Sequence, residues 1–319
     1  MKYTYGLIIC TFDGSDRVDT LLKSIEKCPD LSKFSPKLIV EDFVPDTKRD
    51  IALNWFKWQR TGKENHEALV EVQKRNPDWI LYSMGTWSNM QGTAHRGISE
   101  CNADFCWYMS DDIIIRGNPF KQVINWCENV SKDIIDNTAI INPKIYDRED
   151  LVRAGFLEDS IPSQIQRKFY DNPFGTWVPA EPVQLKLGQM PSVSMNANGA
   201  SFIVKKDAFN KVGGISTTWD VLDQSLSYKM YLNTDKIIYS LPTDPIYHCG
   251  GCAQNSGWKD IREAAAYNRK EDRCKEIFGM SLQEVDKKVY ELAIARTQIW
   301  QEKISQEYMK LPNNFWRFL

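Results

Sequence analysis

Short apolar runs, separated by polar stretches of helix length, organise most of the chain. Residues 5–10 read as a buried strand, and Thr11-Phe12-Asp13-Gly14-Ser15 as the turn after it. Ser15 or Asp16 is expected to cap a helix that buries Leu21, Leu22 and Ile25. Further strands are expected over residues 37–40, ending at Glu41-Asp42, and over 79–82, 105–109 and 139–142. Helices are expected between them, over 64–75, 90–101 and 119–129, the last opened by Pro119. Apolar strands alternating with helices indicate an α/β fold with a mainly parallel sheet.

Residues 150–195 lose this pattern and carry five prolines, Pro162, Pro173, Pro179, Pro182 and Pro191. A connection this long points to a functional loop. Order returns with a strand over 200–204, a short helix over 206–212 stopped by Gly213-Gly214, and a helix over 220–232. Late strands follow over 236–241 and 246–247. Near the C-terminus Gly279 stops one helix, and Ser281-Leu282-Gln283-Glu284 forms a capping box that opens another. Leu282, Val285, Val289, Leu292, Ala295 and Ile299 mark the apolar stripe expected to pack on the main body.

Composition narrows the picture without changing it. The chain has 319 residues, 42% hydrophobic and 26% charged, which excludes a disordered or fibrous protein. Its net charge of −2 gives no overall pull toward nucleic acid or acidic membranes. No apolar run approaches the roughly 20 residues of a membrane span. Eight scattered cysteines in a chain of this size suit a reducing, cytoplasmic setting.

Four places carry candidate chemistry. Asp111-Asp112 follows an apolar strand, where two close carboxylates repel unless a cation neutralises them. A solvated turn is the plain alternative. Of three histidines, His66 is expected on an exposed helix face and His95 against ligand or solvent, while His248 ends a late strand and is the best ligand candidate. Asp223 opens a helix, where a carboxylate is favourable in itself or serves as a base. Cys249 and Cys252 form a Cys-x-x-Cys that lacks a second tight pair to complete a zinc site. Phosphate-loop, dinucleotide-binding and nucleophile-elbow motifs are absent.

In order, these segments resemble the GT-A glycosyltransferases, in particular their inverting family-two type. The resemblance runs from about Tyr5 to Gly251. It is carried by Leu7-Ile8-Ile9-Cys10-Thr11-Phe12-Asp13-Gly14, Leu38-Ile39-Val40-Glu41-Asp42, Gly92-Thr93-Ala94-His95-Arg96-Gly97-Ile98 and Tyr108-Met109-Ser110-Asp111-Asp112. Asn198-Gly199-Ala200-Ser201-Phe202-Ile203-Val204, Val212-Gly213-Gly214-Ile215, Leu222-Asp223 and Tyr247-His248-Cys249-Gly250-Gly251 continue it. Two departures stand out: Ser110 replaces the first acid of the DxD-like motif, and Leu222 replaces the glutamate before Asp223.

The resemblance implies a GT-A, Rossmann-like fold over residues 1–255, a mixed and mainly parallel sheet flanked by helices, with a helical extension over 256–319. It implies transfer of a sugar from a nucleotide-diphosphate sugar, UDP-linked by preference, with inversion by single displacement. Asp223 takes the place of the catalytic base. Asp112 and His248 take the place of ligands to Mn²⁺ or Mg²⁺. Thr11, Asp13, Glu41, Asp42, Arg96 and Asp111 fall at donor-binding positions, and Gly199, Trp177 and Trp219 at acceptor-side positions. The acceptor is expected to be a glycan or another soluble molecule. A hydroxymethylated base in phage DNA is an alternative, for which Lys205, Lys206 and Lys211 would supply local positive charge. A non-catalytic sugar- or nucleic-acid-binding protein and a nucleotidyltransferase are the readings from other classes.

Overall fold

The computed structural model describes residues 1–12, 14–42, 62–85, 88–153, 189–216, 222–249 and 271–311. Strand β1 (Tyr5–Phe12) lies inside an eight-stranded sheet, and β4 (Phe105–Ser110) beside it has all six residues buried. Burial on both faces explains why these strands are continuous apolar runs rather than alternating ones. β2 (Phe34–Asp42) and β3 (Trp79–Ser83) extend the sheet on one side of β1. Beyond β4 come β9 (Ser201–Lys205), β6 (Thr138–Asn142), β10 (Ile237–Ser240) and the short edge strand β8 (Ser192–Val193). Within this sheet β9 and β8 run antiparallel to their neighbours, so the sheet is mixed and mainly parallel.

The two faces sort by alternate residues. Leu7, Ile9, Trp107 and Met109 face α1 (Ser15–Ile25) and α4 (Pro119–Asn129). Ile8, Cys10, Cys106 and Tyr108 face α3 (Asn89–Glu100), α7 (Lys206–Lys211) and α8 (Leu222–Asn233). Helix α1 buries Val18, Leu21, Leu22 and Ile25, the expected helical spacing. Its cap differs from expectation: Gly14 is the N-cap, and Ser15 is the first helical residue, its N–H bonded to Asn65 Oδ1 (3.1 Å) in α2 (Gly62–Arg75). Helix α5 (Lys132–Asn137) and α6 (Arg148–Arg153) are elements the sequence pattern did not predict.

A second, three-stranded sheet stands at the carboxyl end of β4, with β11 (Ile246–His248) between β5 (Ile113–Ile115) and β7 (Ile145–Tyr146). The capping box at Ser281 is present and opens α9 (Leu282–Lys310). The buried face of α9 is Val285, Val289, Ala293, Arg296, Trp300 and Ile304, whereas Ile299 is 56% exposed. The expected stripe therefore holds through Leu292 and then drifts to the exposed Ala295 and Ile299, because the packed face follows a wider spacing. Its first half packs on one face of the sheet and Trp300 and Ile304 on the other. Next to Trp300, Gln301 accepts from Val193 N (2.9 Å) and donates to Pro191 O (2.8 Å), so α9 crosses edge strand β8. No helix among the described residues is long and apolar enough to cross a membrane.

Candidate functional site

The parallel register brings the carboxyl ends of β1, β2 and β4 level, with Thr11 beside Glu41, Phe12 beside Asp42 and Cys10 beside Ser110. The antiparallel β9 starts at the same edge, where Ser110 N bonds Ala200 O (2.8 Å). Ligands of open α/β sheets collect at this edge.

Asp111 is only 7% exposed and is held from three sides. Thr11 Oγ1 donates to its Oδ2 (2.5 Å), and Arg17 reaches both oxygens, Nε to Oδ1 (3.1 Å) and Nη2 to Oδ2 (3.0 Å). Burial pushes the Asp111 carboxyl above its usual range, against the opposing pull of Arg17. Gly14 makes room for this arrangement, since a Cβ there would stand 1.9 Å from Asp111 Oδ2.

Asp112 faces the other way. Ser110, where an acid was expected, donates through Oγ to Asp112 Oδ1 (2.6 Å). Its second oxygen, Oδ2, stands 3.3 Å from His248 Nε2. The register of the small sheet sets this pairing: His248 lies opposite Ile113, and Cys249 N bonds Asp112 O (2.8 Å). On its far side His248 Nδ1 meets Asp147 Oδ1 at 2.7 Å. Burial alone would lower the His248 pKa, but Asp112 and then Asp147 outweigh it and raise it to about 10. Burial acts on Asp112 in the opposite sense, and His248 holds its carboxyl far below the usual range.

The donor set, one carboxylate oxygen and one imidazole nitrogen, suits Mn²⁺ or Mg²⁺. Adjacent ligands of an octahedral ion at about 2.1 Å are themselves about 3 Å apart, near the observed separation. No group of three or more His, Cys, Asp or Glu able to hold a metal occurs among the described residues. The pair Asp112 and His248 would therefore leave most of an ion's positions to diphosphate oxygens and water.

Asp223 sits in the first turn of α8, its carboxyl 3.4–3.6 Å from where a Cβ on Gly199 would stand. The Tyr108 phenol is pushed well above its usual range by burial, then by Cys10 and the carboxylates of Asp112, Asp111 and Asp223. Asn142, at the end of β6, joins this edge by donating to Asn196 O (2.9 Å) and accepting from Asn198 N (3.0 Å).

The remaining expected residues divide. Glu41 is fully buried, accepting from Asn65 Nδ2 (3.2 Å) and lying 2.6 Å from His66 Nδ1. His66 is therefore half-buried and paired, not on a merely exposed helix face. Asp42 Oδ1 accepts from Ser88 N (2.7 Å) and tethers the start of α3. Arg96 is exposed and pairs with Glu100 one turn along α3 (2.8 Å). His95 is half-buried, its ring 5.6 Å from that of Phe209. Asp13, Trp177 and Trp219 lie outside the described residues, as does Cys252, while Cys249 is buried.

Lys205 and Lys206 are not at this edge. Lys205 lies opposite Phe105, the first residue of β4. Its Nζ donates to Ile135 O (3.0 Å) in α5, and Lys206 Nζ donates to the carbonyls at the end of α3, Ser99 (2.9 Å) and Cys101 (3.0 Å) among them. Both ammonium groups cap helix C-termini. Arg17 and Asp147 were missed by the sequence reading because their partners, Asp111 and His248, are about a hundred residues away in the chain.

No family model matches the chain, and no curated protein matches it in sequence. Solved structures do. The mannosyltransferase PcManGT from Pyrobaculum calidifontis, in complex with GDP-Man and Mn²⁺, is 8% identical with a TM-score of 0.55, over 98% of this chain and 77% of that one. GalNAc-T7 with UDP, GalNAc and Mn²⁺ is 11% identical with a TM-score of 0.51, over 96% of this chain and 58% of that one. S. aureus TarS 1–349 in complex with UDP is 12% identical with a TM-score of 0.50, over 98% and 76%. The chain has the GT-A fold of nucleotide-sugar glycosyltransferases.

Proposed function

We propose that this protein transfers a sugar from a nucleotide-diphosphate sugar to an acceptor hydroxyl. The observation that carries the reading is the Asp112–His248 pair at 3.3 Å, on the sheet edge where Asp223 packs against Gly199. A UDP-sugar is the favoured donor, since two of the three similar structures hold UDP, and Mn²⁺ is the favoured ion, since two hold it.

Asp112 and His248 would hold the divalent ion, which supplies charge neutralisation to the leaving diphosphate. Ser110 fixes one oxygen of Asp112 and leaves the other facing the imidazole. Asp111, already spanned by Arg17, is a poor ligand for the ion and instead presents a neutralised, rigid wall to the donor. Thr11, Glu41 and Asp42 shape the nucleoside end, with Arg96 and Asp13 at positions taken from the resemblance. Asp223 removes the acceptor proton while the hydroxyl attacks from the face opposite the diphosphate, so the anomeric configuration inverts. Gly199 lies against Asp223, and the resemblance assigns Trp177 and Trp219 to the acceptor side.

The acceptor is a glycan or another small soluble hydroxyl compound. Two of the three lysines that would serve the DNA reading, Lys205 and Lys206, are instead bonded to carbonyls at the opposite edge of the sheet.

Thermal unfolding with nucleoside diphosphates and their sugars, each with Mn²⁺ or with chelator, tests the donor site. A ligand at about 100 times its Kd adds about 2.7 kcal/mol. Asp223→Asn should keep that shift and lose turnover by about 10²–10⁴-fold. A protein that no nucleotide stabilises refutes the reading, and turnover unaffected by Asp223→Asn refutes the mechanism.

A further inference from the structure

We infer that Asp147 is a positioning residue that orients His248 for metal binding, an inference that rests on the metal site proposed above. His248 has two ring nitrogens and the fold assigns each a direction. Nδ1 meets Asp147 Oδ1 at 2.7 Å, and Nε2 faces Asp112 Oδ2 at 3.3 Å. With Nδ1 donating to Asp147, Nε2 is the ring nitrogen left to ligate, and it points at Asp112, the other proposed ligand. Carboxylate partners of this kind set the tautomer and ring angle of metal-bound histidines and raise their basicity.

The backbone around Asp147 is itself fixed. Tyr146 pairs with Tyr247 in the β7–β11 ladder, which places Asp147 beside His248. Asp147 N donates to Asp150 Oδ2 (3.0 Å), and Asp150 N donates back to Asp147 O (3.1 Å), closing the turn into α6. Asp147 is thus presented by a strand end and a closed turn, as Asp112 is presented by Ser110 and the Cys249 bond. With two protein ligands among the described residues, a freely rotating imidazole would forfeit much of the site's preorganisation, so the device that fixes the ring carries more weight than in a site with three or four.

The test is titration of the intact protein with Mn²⁺ alone, followed by the electron paramagnetic resonance signal of the free ion. Wild type, His248→Ala, Asp147→Ala and Asp147→Asn are compared, with thermal unfolding in chelator as the check on folding. Asp147→Ala should weaken Mn²⁺ binding by about 10–100-fold. Asp147→Asn should weaken it less, because the amide oxygen still accepts from Nδ1 but carries no charge. Both should unfold near the wild-type temperature, since the Asp147 side chain is half exposed. If His248→Ala loses Mn²⁺ while Asp147→Ala binds it as wild type does, the positioning role is overturned and the metal site stands. If His248→Ala binds as wild type does, the metal site is overturned and the inference with it.

Discussion

Arg17 lies side-on against Asp111, one guanidinium nitrogen on each carboxylate oxygen, at 3.1 and 3.0 Å. Both side chains are largely buried, at 15% and 10% exposure. Removing one member of such a pair strands the other in a low-dielectric setting. Arg17→Met should therefore destabilise the protein by about 3 kcal/mol. Urea unfolding measures this, and Arg17→Met with Asp111→Asn together should recover part of the loss. Wild-type stability in the single variant would mean that the pair carries no net charge coupling.

Tyr108 gives a prediction of the opposite sign. Its hydroxyl is buried with no hydrogen-bond partner among the described residues, while its ring stacks on Phe202 at 4.9 Å. Tyr108→Phe keeps the stack and deletes the unsatisfied group, so stability should rise by about 1 kcal/mol. A fall of similar size in the urea midpoint would show that a water or ligand group satisfies this hydroxyl.

Arg296 closes the end of α8. Its guanidinium donates to the carbonyls of Tyr231 (2.8 Å), Thr234 and Lys236. Arg296→Met keeps the packing on Tyr231 and leaves these acceptors bare, at a cost of about 3 kcal/mol. Lys in its place cannot reach all three, so Arg296→Lys should fall between the two in denaturant midpoint.

His95 sets a pH dependence. Burial lowers its pKa below 6.5, so the unfolded chain binds this proton more readily than the folded one. Stability from His95 is full above the unfolded value and is lost as pH falls below about 6.5 toward the folded value. The urea midpoint of wild type should drop between pH 7.5 and 5.5 by more than that of His95→Gln. Equal drops would place the proton elsewhere.

The parts of the fold that were legible are those whose signal is local. Strands β1, β2, β4 and β9 are runs buried on both faces, and α4 starts at the Pro119 that the sequence marks. The β5, β7 and β8 strands have two or three residues each, too few for a period to show, whereas β11, also short, falls on the strand expected over 246–247. α5 is a single turn and a half around Ile134 and Ile135. At the candidate site, Asp111, Asp112, His248 and Asp223 stood out by type and by position at strand or helix ends. Arg17 and Asp147 did not, because their role is set by register between distant strands. Lys205 and Lys206 show the converse: a basic pair that reads as surface charge is bonded to backbone carbonyls.

The path of α9 across β8 has a consequence for synthesis. The sheet's inner strands are complete once β10 has left the ribosome, yet edge strand β8 and apolar residues on both faces remain bare until residues 285–304 follow. An uncovered edge of this kind is a template for pairing with another chain. The growing polypeptide therefore passes through an interval in which α9 is the missing shield, and chaperone capture in that interval would spare it from aggregation.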